Sequence, residues 1–525
     1  MTSSVKQQLP NKSTRLGLLK FFATQAPGLL FKSAGHFLSL TPQSEYWDLR
    51  TTLTVEFLRL WLGQSKHNIT VEEVQGITTI ARGVQANTWK VDVEVSVTEE
   101  DAKMLEEVVR RSIVVLGSAG VEQHIPKVGV PISSGEWIGC RAKVLGEKED
   151  EERHGWSEED KYQAMMEEVE GGEDSNVILL LHGGRVFMPR YRLAPQNPFP
   201  AALLDTLAAY LYLLYPPAGA LHKPVPASKI AIAGDSAGGG LSFALLQLLL
   251  HLHRCGEGED GYENMPSSTP LNSPKLHWQG ECRRFPLPGA VVGISAWVDV
   301  SRCLGEQVSF SNGSKGSEDE CGIWDYLPTS RVDRATSYKP SPAWPGEVKR
   351  SHMYTSDALI THPLVSPITA ESWKGSPPVW MSIGDECLRD SNLYFAHRLL
   401  LSDVNLQMSR FTAMPHVFQG TVPHLPVALK SFELLADFLN AAFGDRDKLK
   451  LGEFIIHPIT LEERIHDRDG LTLGGLEPEV LLEKMEQEVE HWRRNDSIKS
   501  SRSKEWKWGG DSPKVMSLEV EFAKL

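Results

Sequence analysis

The sequence predicts an α/β fold: a mostly parallel sheet flanked by helices on both faces. Three observations carry that expectation. Short, largely apolar runs such as Asn176–Leu181, Ile230–Ala233 and Val379–Ile383 have the composition of strands buried on both sides. They alternate with longer segments at helical spacing, the order that builds a parallel sheet. One run, Ile230–Ala233, passes through Gly234-Asp-Ser-Ala-Gly238 directly into an apolar helical stretch, Leu241–Leu252, giving a strand, a sharp turn and a helix in immediate succession. At 525 residues and 41% hydrophobic content the chain can bury a large core, and its length suits a large α/β fold with insertions.

Taken in order, Leu16–Leu40 is apolar but interrupted, and Ser44–Leu62 places Leu53, Phe57, Leu60 and Trp61 on one helical face. Residues 1–63 are therefore expected to form an N-terminal helical lid. Thr88–Val97 alternates apolar and polar side chains, a strand period. Glu99–Val115 returns to helical spacing, and Gly135–Leu145 reads as another strand. The acidic stretch from Gly146 to Asp174 is expected as a solvated loop, with a short helix at Lys161–Glu170. Asn176–Leu181 is a strand ending in His182-Gly183-Gly184, and Arg185–Pro195 a further strand leaving into a loop. Phe199–Tyr215 and Gly238–Arg254 are helices around the strand Lys229–Gly234. Residues 256–288 and 309–345 are Gly/Ser/Pro-rich insertions, the second expected to be mobile, on either side of a strand at Gly289–Ser295. Strands at Val379–Ile383 and Leu406–Thr412 and helices at Asn392–Leu401 and Val427–Phe443 complete a main domain spanning 64–450. Residues 451–525 are expected to form a C-terminal helical extension and tail, with Leu482, Met485, Val489 and Trp492 on one stripe that docks on its own domain or binds a partner.

Composition excludes several functions. A net charge of −14 argues against nucleic acid, which calls for a basic face. The six cysteines are scattered without a C-x-x-C pair and suggest neither a disulfide framework nor a zinc site. The first 15 residues are polar, so no signal peptide is expected, and Lys20, Gln25, Pro27, Gly28, Lys32 and His36 break the following apolar stretch too often for a spanning helix. A cytoplasmic or membrane-peripheral protein is expected, with residues 16–40 suited to a packed lid or to a membrane surface.

Gly234-Asp-Ser-Ala-Gly238 has the G-x-S-x-G spacing of a nucleophile elbow. A serine in a strained turn projects its hydroxyl from the sheet edge, and the amide of Ala237, opening a helix, is placed to donate to a developing oxyanion. Acyl transfer also needs a base, a group that orients it and further oxyanion donors. Ile383-Gly-Asp-Glu-Cys-Leu-Arg-Asp390 follows one strand and offers Asp385 and Glu386 as acids. Met414-Pro-His-Val-Phe-Gln419 follows the next and offers His416 as base. Both lie where open α/β sheets place ligand chemistry. Gly183 and Gly184 are the candidate donors, because glycine lets the backbone approach a ligand, while His182 is expected to be structural.

These motifs together resemble the hormone-sensitive-lipase-like branch of the α/β-hydrolase fold, in particular its fungal esterase-like members. The resemblance spans roughly Gly135–Phe443 and rests on His182-Gly183-Gly184, Tyr191-Arg-Leu-Ala-Pro195 with Pro198-Phe-Pro-Ala-Ala-Leu203, Gly234-Asp-Ser-Ala-Gly-Gly239, Gly384-Asp-Glu-Cys-Leu-Arg-Asp390 and Pro415-His-Val-Phe418. It implies a carboxylic ester hydrolase working through an acyl-serine intermediate, with no metal or organic cofactor and with a small-molecule or lipid ester as substrate. It also implies a lid built partly from N-terminal helices. Carried over by position, Ser236 is the nucleophile, His416 the general base and acid, and Glu386 the orienting carboxylate, at a place where the family usually has aspartate.

One segment departs from that pattern. The family has a third small residue and a helix after His-Gly-Gly, whereas here Arg185 and the next apolar run follow at once, an apparent deletion. Adjacent parallel strands need a crossover of about 10–12 residues or more. Val177–Leu181 and Val186–Met188 are therefore not expected to lie side by side as parallel strands. The oxyanion loop is expected to be impaired, which leaves a non-catalytic binding protein on an esterase-derived scaffold as the alternative.

Overall fold

A computed structural model describes residues 26–63, 70–78, 87–129, 134–141, 155–169, 171–181, 187–256, 275–304, 323–327, 338–345, 350–466 and 476–500. Helix α1 covers residues 26–37 and α2 Leu49–Gly63. Then follow β1 (Thr88–Glu94), α3 (Glu99–Leu116), β2 (Ser134–Cys140), α4 (Glu158–Glu168), β3 (Val177–Leu181) and β4 (Phe187–Pro189). Next come α5 (Ala201–Leu214), β5 (Ile230–Asp235), α6 (Ala237–Gly256), the hairpin β6 (Lys275–Trp278) and β7 (Glu281–Arg284), and β8 (Ala290–Ile294). The chain continues with β9 (Val379–Gly384), α7 (Arg389–Leu401), β10 (Leu406–Phe411), α8 (Pro426–Phe443), β11 (Gly452–Ile456), β12 (Glu463–His466) and α9 (Pro478–Ser500).

Among the described residues, ten strands form one sheet in the order β1-β2-β4-β3-β5-β8-β9-β10-β11-β12. Neighbours from β4 to β11 are parallel and those at the two ends antiparallel, so the sheet is mostly parallel as expected. Both faces are covered. Ile230 and Ile232 point into the layer containing Leu203, Leu207, Leu245 and Leu249 of α5 and α6, whereas Ala231 and Ala233 point into the layer containing Val427, Leu434 and Phe438 of α8. A fully buried isoleucine contributes about 1.5–3 kcal/mol. A one-residue slip of β5 would exchange isoleucines for alanines on both faces, and this pins the register.

Several elements differ from expectation for identifiable reasons. Helix α4 starts at Glu158 because Ser157 and Asp160 form a capping box. Helix α2 is present, but Thr51, Thr52, Val55 and Glu56 are its buried residues, while Leu53, Phe57, Leu60 and Trp61 are only half-buried. Polar burial is tolerated there because Glu56 pairs with Arg59 and Lys32, and His36 meets Thr52. In α9 the buried stripe is Leu481, Met485, Val489 and Trp492, with Leu482 exposed, and it docks on the chain's own core. Part of the first insertion is a hairpin turning at Gln279-Gly280, both at positive φ, and it buries Trp278 and Phe285. Residues 452–466 add two strands to the sheet, where only helix and tail were expected. Leu30, Phe31, Phe37, Leu38 and Leu40 are exposed, and among the described residues no helix is long and apolar enough to cross a membrane.

One expectation is overturned. β3 and β4 do lie side by side and parallel, with Leu179 opposite Phe187. A crossover of about 10–12 residues is needed only for a return along a whole strand. Because β4 begins level with Leu179, two residues short of the end of β3, the chain has to come back only about 7 Å. β4 is correspondingly short, three residues, and continues antiparallel against β2.

Two buried histidines give the fold a pH dependence. His362 joins α3 to the segment before β9: its Nε2 donates to the Ile113 carbonyl (2.9 Å) and its Nδ1 accepts from the Leu364 amide (3.0 Å), so both nitrogens are committed in the neutral ring. Burial lowers its pKa to about 4, and burial followed by Arg254 does the same for His251. A depressed histidine contributes stability above the unfolded value near 6.5 and loses it as pH falls toward 4, because the unfolded chain takes up the proton first. The urea midpoint is therefore expected to drop between pH 7 and 5, with on the order of 3 kcal/mol per histidine lost by pH 4. The drop should shrink in His362→Gln. His416, whose pKa is raised, contributes fully below 6.5 and loses that contribution only as pH rises above it, so below 6.5 it is constant and does not offset the drop.

Candidate active site

Strand β5 ends at Asp235, and Ser236 follows at φ +52°, a left-handed conformation that is uncommon outside glycine. Its amide donates to the Ile294 carbonyl of β8 (2.9 Å), and its carbonyl accepts from the Trp297 amide (2.8 Å) and the Gly240 amide (3.1 Å). The turn is thus held at its backbone while the hydroxyl stays free to point outward. The sheet reverses its direction of growth here, since the chain passes from β3 out to β4 and then back to β5 on the other side of β3. Such switch points open a crevice at the C-terminal strand ends.

The two loops across that crevice come from β9 and β10. Ser236 Oγ lies 2.9 Å from His416 Nε2, and His416 Nδ1 lies 2.8 Å from Glu386 Oε1. Glu386 is 1% exposed, and its second oxygen accepts from Ser295 Oγ (2.6 Å) and the Gly384 amide (3.3 Å). Ser295 Oγ in turn accepts from the Val417 amide (3.1 Å), next to the histidine. A carboxylate on Nδ1 keeps the ring hydrogen there and leaves Nε2 to accept from the serine. The β9 and β10 loops can come this close because residue 384 is glycine: a Cβ there would sit 2.1 Å from the Met414 carbonyl oxygen. Ser236, Ser295, Ala413 and Val417 all have positive φ, a concentration of backbone strain of the kind that marks functional sites.

Burial alone would lower the pKa of His416. The Glu386 carboxylate, with Asp325 and Asp235 behind it, outweighs burial and raises it above the ordinary 6.5. Tyr326 packs edge-on to the imidazole at 6.0 Å, and burial together with these carboxylates holds its hydroxyl neutral. Tyr191 is pushed up to about 12 by burial and then by Asp235.

The structure therefore brings Ser236, His416 and Glu386 together. Asp385, the other candidate acid, points elsewhere: its carboxylate accepts from Arg410 Nη2 (3.0 Å) and the Ala413 amide (2.8 Å) and lies 3.5 Å from Arg389. Ala237 opens α6 and is exposed, with its amide at the helix N-terminus. Gly183 and Gly184 lie outside the described residues. Two residues that sequence reasoning missed, Ser295 and Asp325, are woven into the site. Ser295 carried no signal beyond ending a strand. Trp324-Asp325-Tyr326-Leu327 did carry one, as a compact aromatic and apolar group inside an otherwise polar insertion.

The chain matches the family described as alpha/beta hydrolase fold over residues 181–278 and 329–420. Over 264 residues it is 26% identical to an acetyl-hydrolase of Streptomyces hygroscopicus, covering 50% of this chain and 67% of that one. It is 26% identical over 230 residues to the carboxylic ester hydrolase LipN of Mycobacterium tuberculosis, covering 43% of this chain and 47% of that one. The chain thus spans about half to two thirds of the length of these relatives. Among solved structures, an EstE5 crystal soaked with p-nitrophenyl butyrate matches with a TM-score of 0.37 and 21% identity, over 64% of this chain and 91% of that one.

Proposed function

We propose that this chain, which has the α/β-hydrolase fold, is a serine-dependent carboxylic ester hydrolase. One observation carries the reading: Ser236 Oγ, the His416 ring and the Glu386 carboxylate form a continuous chain of hydrogen bonds of 2.9 and 2.8 Å. Ser236 attacks the ester carbonyl while His416 Nε2 takes its proton. The Ala237 amide donates to the tetrahedral oxyanion, and Gly183 and Gly184 are the further candidate donors. Protonated His416, stabilised by Glu386, then returns the proton to the departing alcohol, leaving an acyl-serine. Water activated by the same imidazole releases the acid. The relatives named as an acetyl-hydrolase and as a carboxylic ester hydrolase support the reaction class.

Five residues separate β3 from β4, too few for the helix that the resemblance to the hormone-sensitive-lipase-like branch implies after the glycines. Loss of one oxyanion donor costs about 2.7–4 kcal/mol of transition-state stabilisation, a factor of about 10²–10³ in kcat. We therefore expect a reactive serine with slow turnover. A fluorophosphonate probe reads the nucleophile, and hydrolysis of p-nitrophenyl acetate reads the full cycle. The wild-type chain is expected to be labelled, and Ser236→Ala is not. Absence of label on folded wild-type protein would favour a non-catalytic binding protein instead.

A further inference from the structure

Asp325 lies inside the second polar insertion, yet it is 0% exposed. Its Oδ1 accepts from the amides of Tyr326 (2.7 Å), Leu327 (3.3 Å) and His416 (3.2 Å), and its Oδ2 accepts from the amide of Cys387 (2.8 Å). The first two bonds shape its own turn. The last two reach the separate loops that carry the base and the acid, since Cys387 directly follows Glu386. Hydrogen bonds to an ionised acceptor are roughly twice as strong as neutral ones. The carboxylate is thus a strut between two chain segments with no ladder connecting them at that point.

The strut is held from outside by the N-terminal helices. Arg59 of α2 donates from Nε (3.0 Å) and Nη2 (2.6 Å) to the Asp325 carbonyl and from Nη2 to the Ile323 carbonyl (3.2 Å). Its Nη1 donates to Glu56 (2.5 Å), which also pairs with Lys32 of α1 (3.3 Å). A path of polar contacts therefore runs from the exposed apolar helix α1 to the backbone of His416.

We propose that Asp325 is a positioning residue for ester hydrolysis, setting the imidazole of His416 against Glu386 through the backbone of both loops, and that Arg59 ties this arrangement to the N-terminal helices. The inference rests on the assignment of Ser236, His416 and Glu386 as the reacting groups. A displacement of about 1 Å at such a site costs on the order of 10²-fold in rate. The charge of Asp325 also acts on the ring directly. The groups facing His416 are Glu386, Asp325, Asp235, Tyr326 and Ser236, and of the three carboxylates only Asp325 bonds to the histidine's own amide.

Asp325→Asn keeps the size, removes the charge and presents an amide hydrogen to N–H donors. It is tested in the full chain labelled with 13C-histidine, with the His416 signal assigned by its loss in His416→Gln. The His416 pKa is expected to fall by half a unit or more. With p-nitrophenyl acetate, kcat is expected to fall about 10–100-fold while KM changes less than about threefold. Arg59→Gln, farther from the site, covers the case in which Asp325→Asn fails to fold and should lower the same pKa and kcat by a smaller factor. Removing the Asp325 charge lowers this pKa by itself, so the positioning role is read from Arg59→Gln, which keeps that charge; the titration needs no turnover and reports even if the wild-type chain hydrolyses nothing, a result that would count against the hydrolase reading alone. An unmoved His416 titration in Arg59→Gln would overturn the proposal.

Discussion

Glu386→Gln is expected to lower kcat by about 10³–10⁴-fold with little loss of stability. Ser295 Oγ and the Gly384 amide both donate to one carboxylate oxygen, so glutamine places its carbonyl there and turns its NH2 toward His416 Nδ1. The ring must then accept at Nδ1 and carry its hydrogen on Nε2, facing a serine whose proton it can no longer take. Asp385→Asn should behave oppositely. Asp385 supports Arg410, Arg389 and the Ala413 amide without touching His416. Partial solvent contact moderates the cost of breaking that network to about 1–3 kcal/mol, read as a lower urea midpoint, with kcat within tenfold of wild type. The reverse pattern would make Asp385 the orienting acid and overturn the assignment.

Gly238→Ala is expected to cost about 3 kcal/mol or more and to abolish fluorophosphonate labelling. A Cβ at residue 238 would stand 1.8 Å from the carbonyl oxygen of Leu181 and 2.9 Å from its carbonyl carbon. That obstacle is backbone, locked in the β3–β5 ladder where Leu181 pairs with Gly234, so it cannot rotate aside as a side chain would. Gly76→Ala is the control. Its Cβ would meet nothing within 4 Å, and it lies in the helix Val71–Thr78. It should stabilise by about 0.5–1 kcal/mol through the lost freedom of glycine in the unfolded chain. Equal urea midpoints for the two variants would show that the elbow does not require close approach to β3.

Much of the candidate site was legible because its components carry local signals. Ser236 sits in a motif whose glycines answer a steric need a few residues away. His416 and Glu386 follow apolar runs, and in a parallel sheet every such run delivers its next loop to the same edge. The choice between Glu386 and Asp385 was not legible. The two are neighbours with the same chemistry, and what separates them is that one side chain turns toward β10's loop and the other toward Arg410. Asp325 was obscured by the polar residues around it. Its value comes from amides 62 and 91 positions away, which no window of sequence contains.

The same division holds for the fold. Strand and helix were written in periodicity, which follows from backbone geometry repeated every two or 3.6 residues and needs no distant partner. The side of α2 that faces the core, the pairing of β4 with β3 after so short a return, and the recruitment of residues 452–466 into the sheet were not written there. Each depends on which surfaces remain uncovered once the other elements have packed. Helix α2 buries threonines and a glutamate because Arg59, Lys32, His36 and the turn at Asp325 are there to meet them. Hydrogen bonding and burial are properties of three-dimensional neighbours, and those neighbours exist only in the folded chain.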